Sequence, residues 1–144
     1  MKPKFLLRAA TGCLLFFAIG HSIGHFTRHD VNDPKAKAVL QQMIENKFDM
    51  FGQLRSYDEN YTGMSFNLIL TLLAFAFILW ILSTQTEKQP LFAKSILVPI
   101  TICILGFSVT SFCYFFTMPA ITCLLAAILT SWSIFKLKDT DIKS

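Results

Sequence analysis

No Asp, Glu, Lys or Arg occurs from Met64 to Thr86, nor from Ser95 to Phe135. Only 15% of the 144 residues are charged, where a soluble domain carries about a quarter. A bilayer core needs about 20 apolar residues per helical span. The first run holds one span and the second holds two. Thr117-Met118-Pro119 divides the second, since Pro suits a turn or the first helical position. The expected spans are about 64–85, 95–116 and 119–136.

The N-terminal segment admits two readings. Lys2, Lys4 and Arg8 precede a short apolar stretch, and Ala18-x-Gly20 has the form of a cleavage site, as in a signal peptide. The stretch reaches span length only by continuing through His21 and His25, over about 6–27, and the retained span is the favoured reading. Charge asymmetry supports four spans. One set of segments carries Lys2, Lys4, Arg8, Lys88, Lys94, Lys136, Lys138 and Lys143 against Glu87, Asp139 and Asp141. The loop between spans one and two carries Arg28, Lys35, Lys37, Lys47 and Arg55 against Asp30, Asp33, Glu45, Asp49, Asp58 and Glu59. Both termini are therefore expected in the cytoplasm. The fold expected is all-α, a four-transmembrane-helix bundle forming one membrane domain in the bacterial plasma membrane. The pI near 9.0 reflects this topology, so nucleic acid is not an expected partner.

The loop has its own expected structure. Asp33 reads as an N-cap and Pro34 as the first helical residue. Leu40, Met43, Ile44, Phe48 and Phe51 recur at helical spacing, and Gly52 is a suitable stop. The expectation is an amphipathic helix over about 34–52, lying across the outer mouth of the bundle or in the outer-leaflet interface. Ser56 and Glu59 form a capping box that opens the second span's helix ahead of the membrane. Tyr57 and Tyr61 suit the interfacial aromatic belt. Cys13, Cys103, Cys113 and Cys123 fall within spans as small apolar residues. Among them, Cys113 and Cys123 flank the turn between spans three and four and are the one plausible disulfide pair.

Chemistry, if present, is expected around Gly20-His21-Ser22-Ile23-Gly24-His25. His21 and His25 share a helix face, and His29 continues it with some drift. An ionisable residue inside a span raises a functional question by default. A metal site is one reading, with His21 and His25 as a half-site and Asp30, Asp58 or Glu59 as further ligands. The glutamate of a metalloprotease HExxH motif is missing. Haem is another reading, but all three histidines lie in one stretch, so two axial histidines from different helices would require a homodimer. A third reading is a quinone, lipid or other small molecule bound by His21, His25, Tyr57, Asp58, Glu59, Tyr61 and Asn67 at the outer rim. The structural reading makes Gly20 and Gly24 a small-xxx-small packing pattern and seats the rings at headgroup depth. Spans two to four contain no charged residue, so a carboxylate relay has no path across the midplane. The partners expected are the lipid bilayer and either a second copy or another membrane protein.

Gly20, His21 and Gly24, the Phe48-Asp49-x-x-Gly52 element, and Arg55, Ser56, Tyr57, Tyr61 and Gly63 together resemble a functionally uncharacterised family of small bacterial four-span membrane proteins. In that family Gly-His closes the first span and Arg-Ser-Tyr opens the second. Its members often place an aromatic residue where this chain has Asp58. The resemblance implies a four-span fold and no particular activity.

Overall fold

A computed structural model describes residues 1–137. The charges expected at Lys138, Asp139, Asp141 and Lys143 lie outside the described residues. The chain is predominantly helical, with α1 (Pro3–Thr27), α2 (Pro34–Glu45), α3 (Tyr57–Gln85), α4 (Pro90–Tyr114) and α5 (Thr117–Lys136). A two-stranded antiparallel sheet, β1 (Lys47–Met50) and β2 (Gln53–Ser56), stands between α2 and α3. Helices α1, α3, α4 and α5 are each long and apolar enough to cross a membrane. The contacts divide the described residues into two compact units, one of residues 1–17 and 72–137, the other of residues 18–71.

The first unit is built on apolar side chains spaced three and four apart. Leu6, Leu7, Ala10 and Leu14 of α1 are buried, as are Leu72, Ala76, Leu79 and Leu82 of α3, and Ala93, Leu97, Ile100 and Ile104 of α4. Helix α5 buries small residues, including Ala120, Cys123, Ala126, Ala127, Thr130 and Ser133. Small side chains let helix backbones approach closely, which substitutes for the hydrophobic drive that lipid abolishes. Accordingly, the Ser108 hydroxyl of α4 donates to the Ala120 carbonyl of α5 at 2.9 Å. The opposite faces of these helices present Phe77, Ile102, Val109 and Ile128 outward, as lipid-facing surfaces do. All four cysteines are free, Cys113 and Cys123 included; Cys123 is buried whereas Cys113 is exposed.

The second unit contains the end of α1, the helix α2, the hairpin and the start of α3. Asp33 caps α2, its carboxylate accepting from the Lys35 and Ala36 amides at 2.8 and 2.9 Å, with Pro34 opening the helix. At the other end of the loop, Ser56 and Glu59 close a reciprocal capping box at 2.8 and 3.1 Å.

The expected helix over 34–52 needs correction, because α2 ends at Glu45 and the chain reverses as a hairpin. Lys47 pairs with Ser56, Phe48 with Arg55, Asp49 with Leu54 and Met50 with Gln53. Phe51 and Gly52 form the two-residue turn, at φ 51° and 86°. Positive φ at both central positions matches the right-handed twist of a hairpin. Glycine past the end of an apolar stripe serves a helix stop or a hairpin turn equally well. Here the Asp49 carboxylate accepts from the Gly52 amide at 2.8 Å, a side-chain bond that holds the turn. After the reversal, Phe48 packs on Tyr57 with ring centroids 4.6 Å apart, and the Asn60 amide donates to the Met50 sulfur. Phe48 and Phe51 thus leave the helical stripe to which their spacing assigned them.

Candidate functional site

Two short polar triads have the same helical spacing. His21, His25 and Arg28 sit at i, i+4 and i+7 along α1 and its first following residue, and Asp58, Thr62 and Ser65 repeat that spacing on α3. Residues so spaced line one face of a helix. The triads meet antiparallel, with the outer members Arg28 and Asp58 paired and the deeper histidines meeting Ser65.

The outer contact is a bidentate ion pair. Arg28 Nη2 donates to Asp58 Oδ1 at 3.0 Å and Oδ2 at 3.1 Å, while Nε lies 3.3 Å from Oδ1. Both side chains are about five-sixths buried, at 16% and 15% exposure. A planar guanidinium matches a carboxylate in this way and a lysine does not. Arg28 Nη2 also donates to Thr62 Oγ1 at 2.7 Å, and Thr62 Oγ1 donates to the Asp58 carbonyl at 2.8 Å. His29 Nε2 lies 3.0 Å from Asp58 Oδ1 from the more exposed side. The Tyr61 ring lies near the guanidinium, 5.5 Å from its centroid.

The inner contact centres on one hydroxyl. Ser65 Oγ lies 2.8 Å from His21 Nε2 and 2.9 Å from His25 Nδ1. His25 and Ser65 are both buried. Arg28 Nη1 stands 3.2 Å from His25 Nδ1 and 3.5 Å from Nε2, and it donates to the His25 carbonyl at 3.2 Å. Ser65 Oγ thus lies within hydrogen-bond distance of both rings and bridges them, and the donor in each contact follows the histidine tautomers. The ring of His25 is held on its remaining sides by Phe66 at 4.6 Å and Phe26 at 5.1 Å.

Of the residues that the sequence nominates for binding, His21, His25 and Asp58 enter this network, and Tyr61 flanks it. Tyr57 lies against the hairpin. Glu59 is engaged in the capping box and in an ion pair with Lys47 at 3.7 Å. Asn67 is exposed, and its carbonyl accepts from Thr71. Gly20 and Gly24 are exposed, and a methyl group added at either would meet nothing within 4 Å beyond its chain neighbours and the adjoining backbone of its own helix. Among the described residues, no group of three or more His, Cys, Asp and Glu side chains is placed to hold a metal ion.

Arg28, Thr62 and Ser65 are the members that the sequence reading does not nominate. Their signal was present in the repeated i, i+4, i+7 spacing of polar residues on the two segments. The histidine spacing alone conceals it, because the third member of each triad is of a different residue type.

By length and composition, the four apolar helices are compatible with a multi-pass membrane protein. No protein-family profile matches the chain, and no curated protein or solved structure is detectably similar to it.

Proposed function

We infer that this is a multi-pass protein of the bacterial plasma membrane, with both termini cytoplasmic and a structural or interaction role. The observation that carries this reading is the self-satisfaction of the polar network. Arg28, Asp58, His25, Ser65 and Thr62 bond to one another, so the cluster works as a clasp that closes the ends of the 29–57 segment. Beside its charged residues, that segment presents apolar side chains outward. Phe51 is fully exposed at the hairpin tip, Leu54 is exposed on β2, and Val39 and Ile44 are exposed on α2. No residue of α2 is buried, and its apolar residues share one face. Such a helix suits the outer-leaflet interface, with the hairpin tip offered to a second membrane protein or a second copy.

The test is in-cell photocrosslinking from position 51, combined with labelling of Phe51→Cys by a membrane-impermeant thiol reagent. The reading requires external labelling and a discrete protein adduct. Labelling only after cell lysis would refute the topology, and adducts with lipid alone would refute the interaction.

A second reading has its own supporting observation. Both imidazoles face α3 and share a buried serine hydroxyl, which is the arrangement a quinone, a lipid or a metal ion would exploit by displacing Ser65. Metal analysis, an optical spectrum and lipid-extract mass spectrometry of the protein in mild detergent test it against His21→Ala. A ligand that disappears in the variant supports this reading, and identical, empty preparations refute it.

A further inference from the structure

A groove of about 370 Å³ runs along the outer surface of the α4–α5 pair. Thr101 and Leu105 of α4 form one wall, and Leu124, Ile128, Trp132 and Phe135 of α5 form the other. The volume falls in the about 300–1,000 Å³ of small-molecule clefts. Its lining is predominantly apolar; the Thr101 hydroxyl is already given to the Leu97 carbonyl at 2.7 Å, and Ser131 is the other hydroxyl in it. Leu105, Leu124, Ile128, Trp132 and Phe135 are all exposed. They therefore face whatever surrounds the helices.

We propose that this groove holds one acyl chain of an anionic phospholipid, with the phosphate on Lys136. Three observations choose this occupant. The first is length. From Leu124 to Phe135 the groove follows α5 for about 16 Å at 1.5 Å per residue, close to the half-thickness of about 15 Å of a bilayer core. An acyl chain lying in it therefore runs the depth of one leaflet. The second is charge at one end. Lys136 lies one turn beyond Trp132, with its ammonium 5.9 Å from the indole centroid. On α4, Lys94 precedes Val98, Thr101 and Leu105 on the same helical face. Both cations thus stand at the same end of the groove, where a headgroup emerges. The third is setting, since α4 and α5 are both of membrane-spanning length and apolarity. A basic residue near the membrane surface favours an anionic lipid by about 1 kcal/mol, or about fivefold.

The experiment uses Trp132 as its reporter. Trp80→Phe removes the only other tryptophan. In detergent micelles, phosphatidylglycerol brominated along its acyl chains is expected to quench Trp132 saturably, at a mole fraction about fivefold below that of brominated phosphatidylcholine. Lys136→Gln should abolish that preference, and Leu105→Phe with Ile128→Phe, which fill the groove, should abolish saturation. Quenching that simply follows the mole fraction of brominated chains, whatever the headgroup, would overturn the proposal. Trp132 becoming shielded as protein concentration rises would also overturn it, and would assign the groove to a second copy. If Trp80→Phe does not fold, co-purified phospholipid is quantified by native mass spectrometry for the wild type and the doubly filled variant. Retention by the wild type alone is expected, and equal retention by both would reject the site.

Discussion

Both units contain hydroxyls bonded to their own helix, as at Thr101 in the first and Thr71 in the second, but the second adds bonds between distant side chains. In the first, most hydroxyls turn back on their own helices. Thr101, Thr110, Thr122 and Thr130 each donate to a carbonyl three or four residues earlier. Ser108, which reaches across to Ala120, is an exception, and it binds backbone. In the second unit, side chains also bond to side chains 29 to 44 positions away. A back-bonded threonine is indifferent to its neighbours, because its partner moves with it. A clasp such as Arg28–Asp58 works in one register only. The first unit is thus specified by shape and the second by pairing, which is where polar groups are best attested as devices of specificity.

This contrast breaks most visibly at Arg28. Removing one partner of a largely buried ion pair leaves the other charge stranded. Arg28→Ala should lower the unfolding free energy by about 3 kcal/mol, read from denaturation in detergent. Arg28→Lys should recover only part of this, since an ammonium cannot reproduce the fork. The double variant Arg28→Ala/Asp58→Ala should cost less than the sum of its single changes. Strict additivity, or a loss below about 0.5 kcal/mol for Arg28→Ala, would show that the pair contributes nothing to the fold.

Ser65 and Ser108 sharpen the same comparison, because both are buried serines that bridge two helices. Ser65→Ala leaves His21 Nε2 and His25 Nδ1 facing a methyl group, at a cost of about 1–2 kcal/mol. Ser108→Ala leaves only a carbonyl, already satisfied within its helix, at a cost of about 0.6 kcal/mol. If the two variants unfold alike, the Ser65 bridge has no cooperative value beyond one ordinary bond.

How much was legible in the sequence depended on the range of the interaction that decides each element. The membrane-length helices α3, α4 and α5 were legible because a charge-free run of their length has few other uses, whereas α1 reaches span length only through its histidines. Asp33 before Pro34 and Ser56 before Glu59 were legible because caps are local. The hairpin was hidden because Phe48 and Phe51 mimic a helical stripe and Gly52 fits either ending. Only the Asp49 side chain, bonding three residues ahead, distinguishes them. In the candidate site the histidines were conspicuous by type. Ser65 was not, since a serine in an apolar helix ordinarily bonds its own backbone, and its role depends on a helix more than 35 residues earlier.

The hairpin supplies a smaller test, with opposite signs at adjacent positions. Phe51 holds a left-handed conformation that costs an ordinary L-residue about 1 kcal/mol and asparagine less, while its ring rests on nothing. Phe51→Asn should therefore stabilise the protein by about 0.5 kcal/mol, whereas Gly52→Ala should destabilise it by about 1 kcal/mol. A destabilising Phe51→Asn would mean that the exposed ring has a stabilising contact within the folded chain. A stabilising one would show that the folded chain itself gains nothing from the exposed ring that offsets the backbone strain.

The smallest expected effect belongs to the first unit. Thr110 is exposed and donates to its own helix at Gly106 and Phe107, at 3.0 and 3.2 Å. Thr110→Val keeps the shape and removes the hydroxyl, and those two carbonyls keep their helical amide partners. The change should lie within about 0.5 kcal/mol of zero. Thr62→Val makes the identical chemical change in the second unit, but it takes a partner from Arg28 Nη2. It should cost about 1.5 kcal/mol, as bonds to charged groups do. The same substitution, one hydroxyl for one methyl, is then neutral where the helix is its own partner and costly where the partner comes from another element. Equal costs at the two threonines would remove the distinction between the units.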